Sequence, residues 1–94
     1  MLLERAELII KEGQEEAFAA AMRDKALGLL RGFPGVRSAE LGRGVENPGK
    51  FMLLVEWESM DAHAAFKGSD VYMPFVQVFA PFSNGGSMEH FEMG

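Results

Sequence analysis

Two histidines, one tyrosine, one tryptophan and no cysteine leave this chain few side chains that can move a proton or hold a ligand near neutral pH. His63 lies in Asp61-Ala62-His63-Ala64-Ala65-Phe66, a stretch of small and apolar neighbours. A neutral imidazole with a pKa of about 6.5 takes a proton from a phenol or from carbon beside a carbonyl. The competing role is structural, a histidine that hydrogen-bonds a backbone carbonyl. His90 stands between Glu89 and Phe91; strand alternation puts it on the side of Met88 and Glu92, opposite Phe91. It either meets His63 across a pocket or holds a packing position. Tyr72 is placed to donate a hydrogen bond to a substrate oxygen, or to close the packing at a helix end. Trp57 offers a flat wall for a planar ligand and an indole N–H, or else a core or interface anchor. Phe66, Phe75 and Phe79, with Met52 and Met73, have the spacing to line an apolar cavity, though such stripes also make plain core.

Cofactor chemistry finds little footing. Catalytic zinc takes three protein ligands at recognisable spacing, and neither HxH nor HExxH occurs. Gly42-Arg43-Gly44 lacks the third glycine and the following helix of a dinucleotide fingerprint, and no phosphate loop or serine or cysteine nucleophile motif is present. The expectation is a site with no cofactor and no metal. Arg5 and Glu7 share one strand face and are placed to pair with each other or with Glu56.

These residues need elements to position them. Leu2 to Ile10 has strand character, broken by Lys11-Glu12-Gly13. From Gln14 to Arg31 the period is helical: Phe18, Met22, Ala26, Leu29 and Leu30 share a face. Glu15 and Glu16 suit the positive end of its dipole, and Gly32-Phe33-Pro34-Gly35 stops it. Val36 to Arg43 and Phe51 to Glu58 read as a strand hairpin, and the near-continuous apolar run of the second implies burial on both faces. Ser59 caps a short helix to about Lys67. A further helix runs from about Asp70 to Phe79, with Pro74 confining its start. Ala80 to Ser87 reads as a loop and Met88 to Glu92 as a last strand.

The order β-α-β-β-α-β makes residues 1–94 one α+β domain of the ferredoxin-like kind: a four-stranded antiparallel sheet with helices on one face. Hydrophobic residues form 48% of the chain, with eight Phe and seven Met, more than so small a body covers alone. A second copy packing on the open sheet face, a homodimer, is therefore expected. Net charge is −5, with nine basic against fourteen acidic residues, and the basic ones are scattered, which excludes a nucleic-acid partner. The charged start, Glu4-Arg5, does not suit a signal peptide. No apolar run reaches the ~20 residues of a membrane span, so no membrane partner and a cytoplasmic location are expected.

Four stretches together resemble the antibiotic biosynthesis monooxygenase family of dimeric α+β barrels. They are Ile10-Lys11-Glu12-Gly13 with Glu15-Glu16-Ala17-Phe18, Phe33-Pro34-Gly35-Val36, Leu54-Val55-Glu56-Trp57-Glu58-Ser59, and the set His63, Phe66, Ser69, Tyr72 with His90-Phe91. The resemblance implies a pocket between sheet and helices beside the tryptophan strand. Family chemistry spans cofactor-free oxygenation of fused phenols, quinol oxidation, haem degradation and isomerisation, so the fold alone does not select one. Haem-degrading members use a strand-one asparagine that is missing here. Asn47 and Asn84 fall in expected loops, and Phe66 stands where many members carry a histidine. Leu53 replaces an asparagine of some oxygenases. The resemblance implies a cofactor-independent monooxygenase or quinol oxidase for a small aromatic substrate. His63 is its base, Tyr72 or His90 polarises an oxygen, and Trp57, Phe66, Phe75 and Phe79 contact the ring. A non-catalytic ligand-binding barrel and a cofactor-free isomerase or lyase are the alternatives.

Overall fold

A computed structural model describes residues 1–94. Four strands, β1 (Leu2–Ile10), β2 (Val36–Arg43), β3 (Lys50–Trp57) and β4 (Ser83–Glu92), form one sheet in the order β2-β3-β1-β4. Every neighbouring pair is antiparallel. Helix α1 begins at Glu15–Ala21, passes through a π-helical segment at Met22–Ala26, and ends at Leu27–Arg31. Helices α2 (Met60–Lys67) and α3 (Tyr72–Phe79) follow β3. This is the ferredoxin-like α+β arrangement that the element order predicts.

The two faces of the sheet differ because side chains alternate along a strand. On β1, Leu2, Ala6, Leu8 and Ile10 are buried beneath the helices; on β3, Phe51, Leu53, Val55 and Trp57 are. Phe18, Met22, Ala26, Leu27 and Leu30 descend from α1 to meet them in one continuous hydrophobic cluster. Phe18 sets its edge against Phe51 at 4.8 Å between centroids, a geometry that matches positive ring edge to negative ring face. Arg31, in the last turn of α1, donates from Nε and Nη2 to the Ala39 carbonyl at 3.1 and 2.6 Å and ties the helix to β2.

Local signals in the sequence explain where the elements stop. Ser59 Oγ accepts from the Ala62 N–H at 3.2 Å and starts α2 as expected. Gly35 has φ +94°, and a Cβ there would lie 2.6 Å from Ala62 Cβ, so only glycine lets the α1–β2 turn pass under α2. Pro74 occupies the first turn of α3, where its missing N–H has no intrahelical partner to lose.

One expectation needs correcting. Ala80 to Ser87 is not a loop: Ala80–Phe82 forms a 3₁₀ turn and β4 already starts at Ser83, taking Asn84 with it. Asn84-Gly85-Gly86 has little strand propensity, but β1 presents unpaired backbone groups that must find partners. The pairing shifts register at Ile9/Ile10, and Gly85 takes φ +131° there. Strand β3, in turn, is buried on one face only within the chain. Met52 and Glu56 are half-buried and Leu54 is 37% exposed, because no helix covers that side.

Candidate functional site

Three residues on the helix-facing side of the sheet, Glu4, Trp57 and His90, are brought near one another by strand register. Glu4 sits on the helix-facing side of β1, among Leu2, Ala6 and Leu8, and is only 6% exposed. Antiparallel pairing puts His90 of β4 directly opposite Glu4. Trp57 closes β3 opposite Leu2, one pleat away. Above them α2 brings down His63, in the second turn after the Ser59 cap, 8% exposed.

The four side chains meet on one atom. Trp57 Nε1–H donates to Glu4 Oε1 at 3.2 Å. His63 Nε2 and His90 Nε2 each lie 3.3 Å from the same oxygen. The imidazole rings stand edge to face, 4.5 Å between centroids, and His63 also meets the Trp57 ring edge to face at 5.3 Å. Phe66 packs on Trp57, Tyr72 and Phe75 at 5.4, 5.7 and 5.4 Å. Phe75 leads on to Phe79 at 5.3 Å. The polar cluster thus has an apolar roof.

Burial lowers the pKa of His63 from its ordinary 6.5, because the cation loses water. The Glu4 carboxylate opposes this shift, whereas His90 and Lys67 add to it. His63 is therefore a neutral imidazole at neutral pH. A carboxylate oxygen only accepts, so an imidazole bonded to Glu4 through Nε2–H keeps its other nitrogen as the proton acceptor.

Two cavities adjoin this cluster; Glu4 alone of its members borders both, and His90 lines neither. The smaller, about 60 Å³, reaches Glu4, Trp57, His63, Phe66 and Tyr72. The larger, about 380 Å³, lies between the β1–β4 edge and α3 and is lined by Leu8, Leu53 and Ser87 among others. Glu4, Phe75, Phe79 and Met88 border both. A still larger groove of about 650 Å³ runs between α1 and α3, past Lys25, Leu29 and Pro74. It holds neither histidine nor Glu4, so its size brings no acid–base chemistry with it.

The structure gathers the sequence-derived candidates unevenly. His63, Trp57, Phe66 and Tyr72 surround the small cavity, and Phe75 and Phe79 border both cavities. His90 reaches Glu4 and His63 from the sheet edge. Arg5 and Glu7 pair at 2.9 Å on the opposite face, and Arg5 also pairs with Glu89; Glu56 bonds Ser38 instead. The residue that sequence reasoning missed is Glu4, the hub of the network. Its signal was parity: a lone carboxylate in step with Leu2, Ala6, Leu8 and Ile10.

The pattern of one family, antibiotic biosynthesis monooxygenase, matches residues 1–78, a stretch that includes Glu4, Trp57 and His63 but ends before Phe79 and His90. The uncharacterised protein YczJ of Bacillus subtilis (strain 168) is 35% identical over 97 residues, covering 98% of each chain. Among solved structures, a Bordetella bronchiseptica protein carrying the same family name superposes with a TM-score of 0.88 at 24% identity, over 99% of this chain and 96% of that one. A Nitrosomonas europaea protein of the same name does so with a TM-score of 0.83 at 19% identity, over 99% and 98%. At these identities the superpositions speak to the fold, while the matched pattern and the 35% relative speak to descent. The chain belongs to the antibiotic biosynthesis monooxygenase family.

Proposed function

We propose that this chain is a cofactor-independent monooxygenase or quinol oxidase acting on a small aromatic phenol bound between the sheet and α3. The observation that carries the reading is the convergence of His63 and His90 on Oε1 of buried Glu4, which borders both cavities, with His63 lining the smaller one. The larger cavity, about 380 Å³, is of the size that takes one small aromatic ligand. The smaller one holds about two waters' worth of space, and it is where the substrate oxygen would enter.

His63 is the base. Its Nε2–H is held by Glu4, which fixes the tautomer and stabilises the imidazolium as the free ring nitrogen takes the phenolic proton. His90 or Tyr72 polarises the substrate oxygen, and Trp57, Phe66, Phe75 and Phe79 hold the ring and exclude water. The phenolate then gives an electron to dioxygen. A quinol loses two protons and two electrons overall and leaves quinone and hydrogen peroxide. A phenolic ring carrying a CH₂ becomes a quinone by gaining one oxygen atom, the second leaving as water. The working unit in this reading is a homodimer.

Oxygen uptake by the purified protein over a panel of hydroquinones and polycyclic phenols tests the assignment. Uptake that scales with protein and falls about 10²–10⁴-fold in folded His63→Ala supports it, the range expected for loss of a general base. Uptake no faster than autoxidation in buffer overturns it. Product formed equally under nitrogen would instead assign an isomerase or lyase.

A further inference from the structure

The same cluster has a second property that proton transfer does not require. Glu4 is a buried carboxylate with no lysine or arginine within 4.0 Å; its basic neighbours are the two imidazoles alone. A buried carboxylate that no lysine or arginine reaches leaves its charge to the imidazoles or to a bound cation. Three nitrogens, from Trp57, His63 and His90, also crowd a single oxygen, Oε1, and all stand at the long end of hydrogen-bond range, 3.2–3.3 Å.

Those separations match the edge of a coordination polyhedron. Bonds of about 2.0–2.1 Å from zinc to imidazole nitrogen and carboxylate oxygen, at the tetrahedral angle, put ligand atoms about 3.3 Å apart. Glu4 Oε1 lies 3.3 Å from each His Nε2, and the ligand atoms of all three residues fall within 4.8 Å of one another. The third edge, between the two imidazoles, is no longer than 4.8 Å and would shorten as the rings turn onto a metal. Trp57 fixes the carboxylate from outside, as outer partners of metal ligands do. The cavity of about 60 Å³ beside Glu4 and His63 leaves room for a water as fourth ligand.

We propose that Glu4, His63 and His90 bind a divalent first-row transition metal, one per chain, through two imidazole nitrogens and one carboxylate. Two imidazoles with one carboxylate suit zinc, cobalt or iron and not magnesium, which prefers oxygen ligands throughout. This goes beyond the acid–base reading and competes with it: a His63 bound through Nε2 cannot also donate that proton to Glu4. Bound metal therefore inhibits cofactor-free turnover.

Metal-stripped full-length protein, titrated without substrate, decides the matter independently of any activity. Co²⁺ should saturate at one equivalent per chain with the intense visible absorption of four-coordinate cobalt, and Zn²⁺ should displace it. Zn²⁺ should also raise the Tm, while Mg²⁺ leaves it unchanged. Glu4→Gln and His90→Asn should each weaken Zn²⁺ by about 100-fold or more, at or beyond the loss seen for outer-sphere changes, and the surface control Asp61→Asn should not. His90 lies on the edge strand and is the more exposed histidine, so its variant reports even if Glu4→Gln fails to fold. No cobalt spectrum at one equivalent, or unchanged Zn²⁺ affinity in folded His90→Asn, overturns the site.

Discussion

Glu4 Oε1 accepts from Trp57 Nε1–H and faces both imidazoles, so what an amide would do at this position can be worked out atom by atom. Glutamine keeps the shape but either turns donor NH₂ toward donor N–H groups or gives up its best acceptor. Glu4→Gln should cost about 1–3 kcal/mol, the penalty of leaving a buried polar group unpaired. Turnover should fall as well, because His63 loses the group that fixes its tautomer, and denaturant unfolding beside the oxygen-uptake assay measures both. Protonation of His63 supplies a second prediction. Its folded pKa lies below the ordinary 6.5, chiefly through burial, so the unfolded chain binds this proton first as pH falls. Stability therefore rises with pH between the lower folded value and about 6.5. The contribution is fully present above that window and is lost as pH falls through the folded pKa. Between about pH 8 and about pH 5 the wild type should lose more unfolding free energy than His63→Asn, which lacks the ionisable ring. Equal losses would show that His63 titrates alike in both states.

At the scale of elements, β4 decides whether His90 belongs to the site. Its pairing with β1 puts His90 opposite Glu4 only because the strand begins at Ser83 and absorbs a register shift near Ile9/Ile10. Gly86 makes this pairing close: a Cβ there would run into the Glu7 carbonyl oxygen, a backbone atom that cannot step aside alone. Gly86→Ala should thus destabilise by about 1–3 kcal/mol, in the range of overpacked sites. It should also separate His90 from Glu4, which the histidine ring signals in NMR would register as changed chemical shifts. A variant with wild-type stability and unchanged ring signals would mean that β4 tolerates a different register. Helix α2 is positioned more simply. The Ser59 cap and Gly35 beneath Ala62 fix its first turn, and His63 is the next residue along.

At the scale of the whole molecule, the helix-free face of the sheet carries Leu3, Ile9, Met52, Leu54 and Phe91 around the Arg5–Glu7 and Arg5–Glu89 pairs. Leu54 is 37% and Phe91 43% exposed in the single chain. An apolar face of that kind is normally covered by a partner, and the proposed homodimer covers it with a second copy. Light scattering should then give about 21 kDa, twice the 10.4 kDa chain. Leu54→Glu should return the mass of one chain, because it buries an unpaired carboxylate against the partner. A wild-type mass of 10.4 kDa would rule the dimer out.

Much of this protein is written in local pattern. The helical period from Phe18 to Leu30, the stop at Gly32-Phe33-Pro34-Gly35, the Ser59 cap and the β2–β3 hairpin need only neighbours a few residues away, so the sequence declares them, though not the π-helical turn at Met22–Ala26. The element order then leaves few ways to close the sheet. The start of β4 was not legible, because Asn84-Gly85-Gly86 looks like a turn until β1 offers it hydrogen bonds. The site was half legible: the types of His63, His90, Trp57 and Tyr72 marked them as candidates. What only the tertiary structure decided is that Glu4 joins them, since residues 4, 57, 63 and 90 meet through strand register and helix packing over separations that no local period spans. One carboxylate in step with its strand's apolar face was the trace the sequence kept of that meeting.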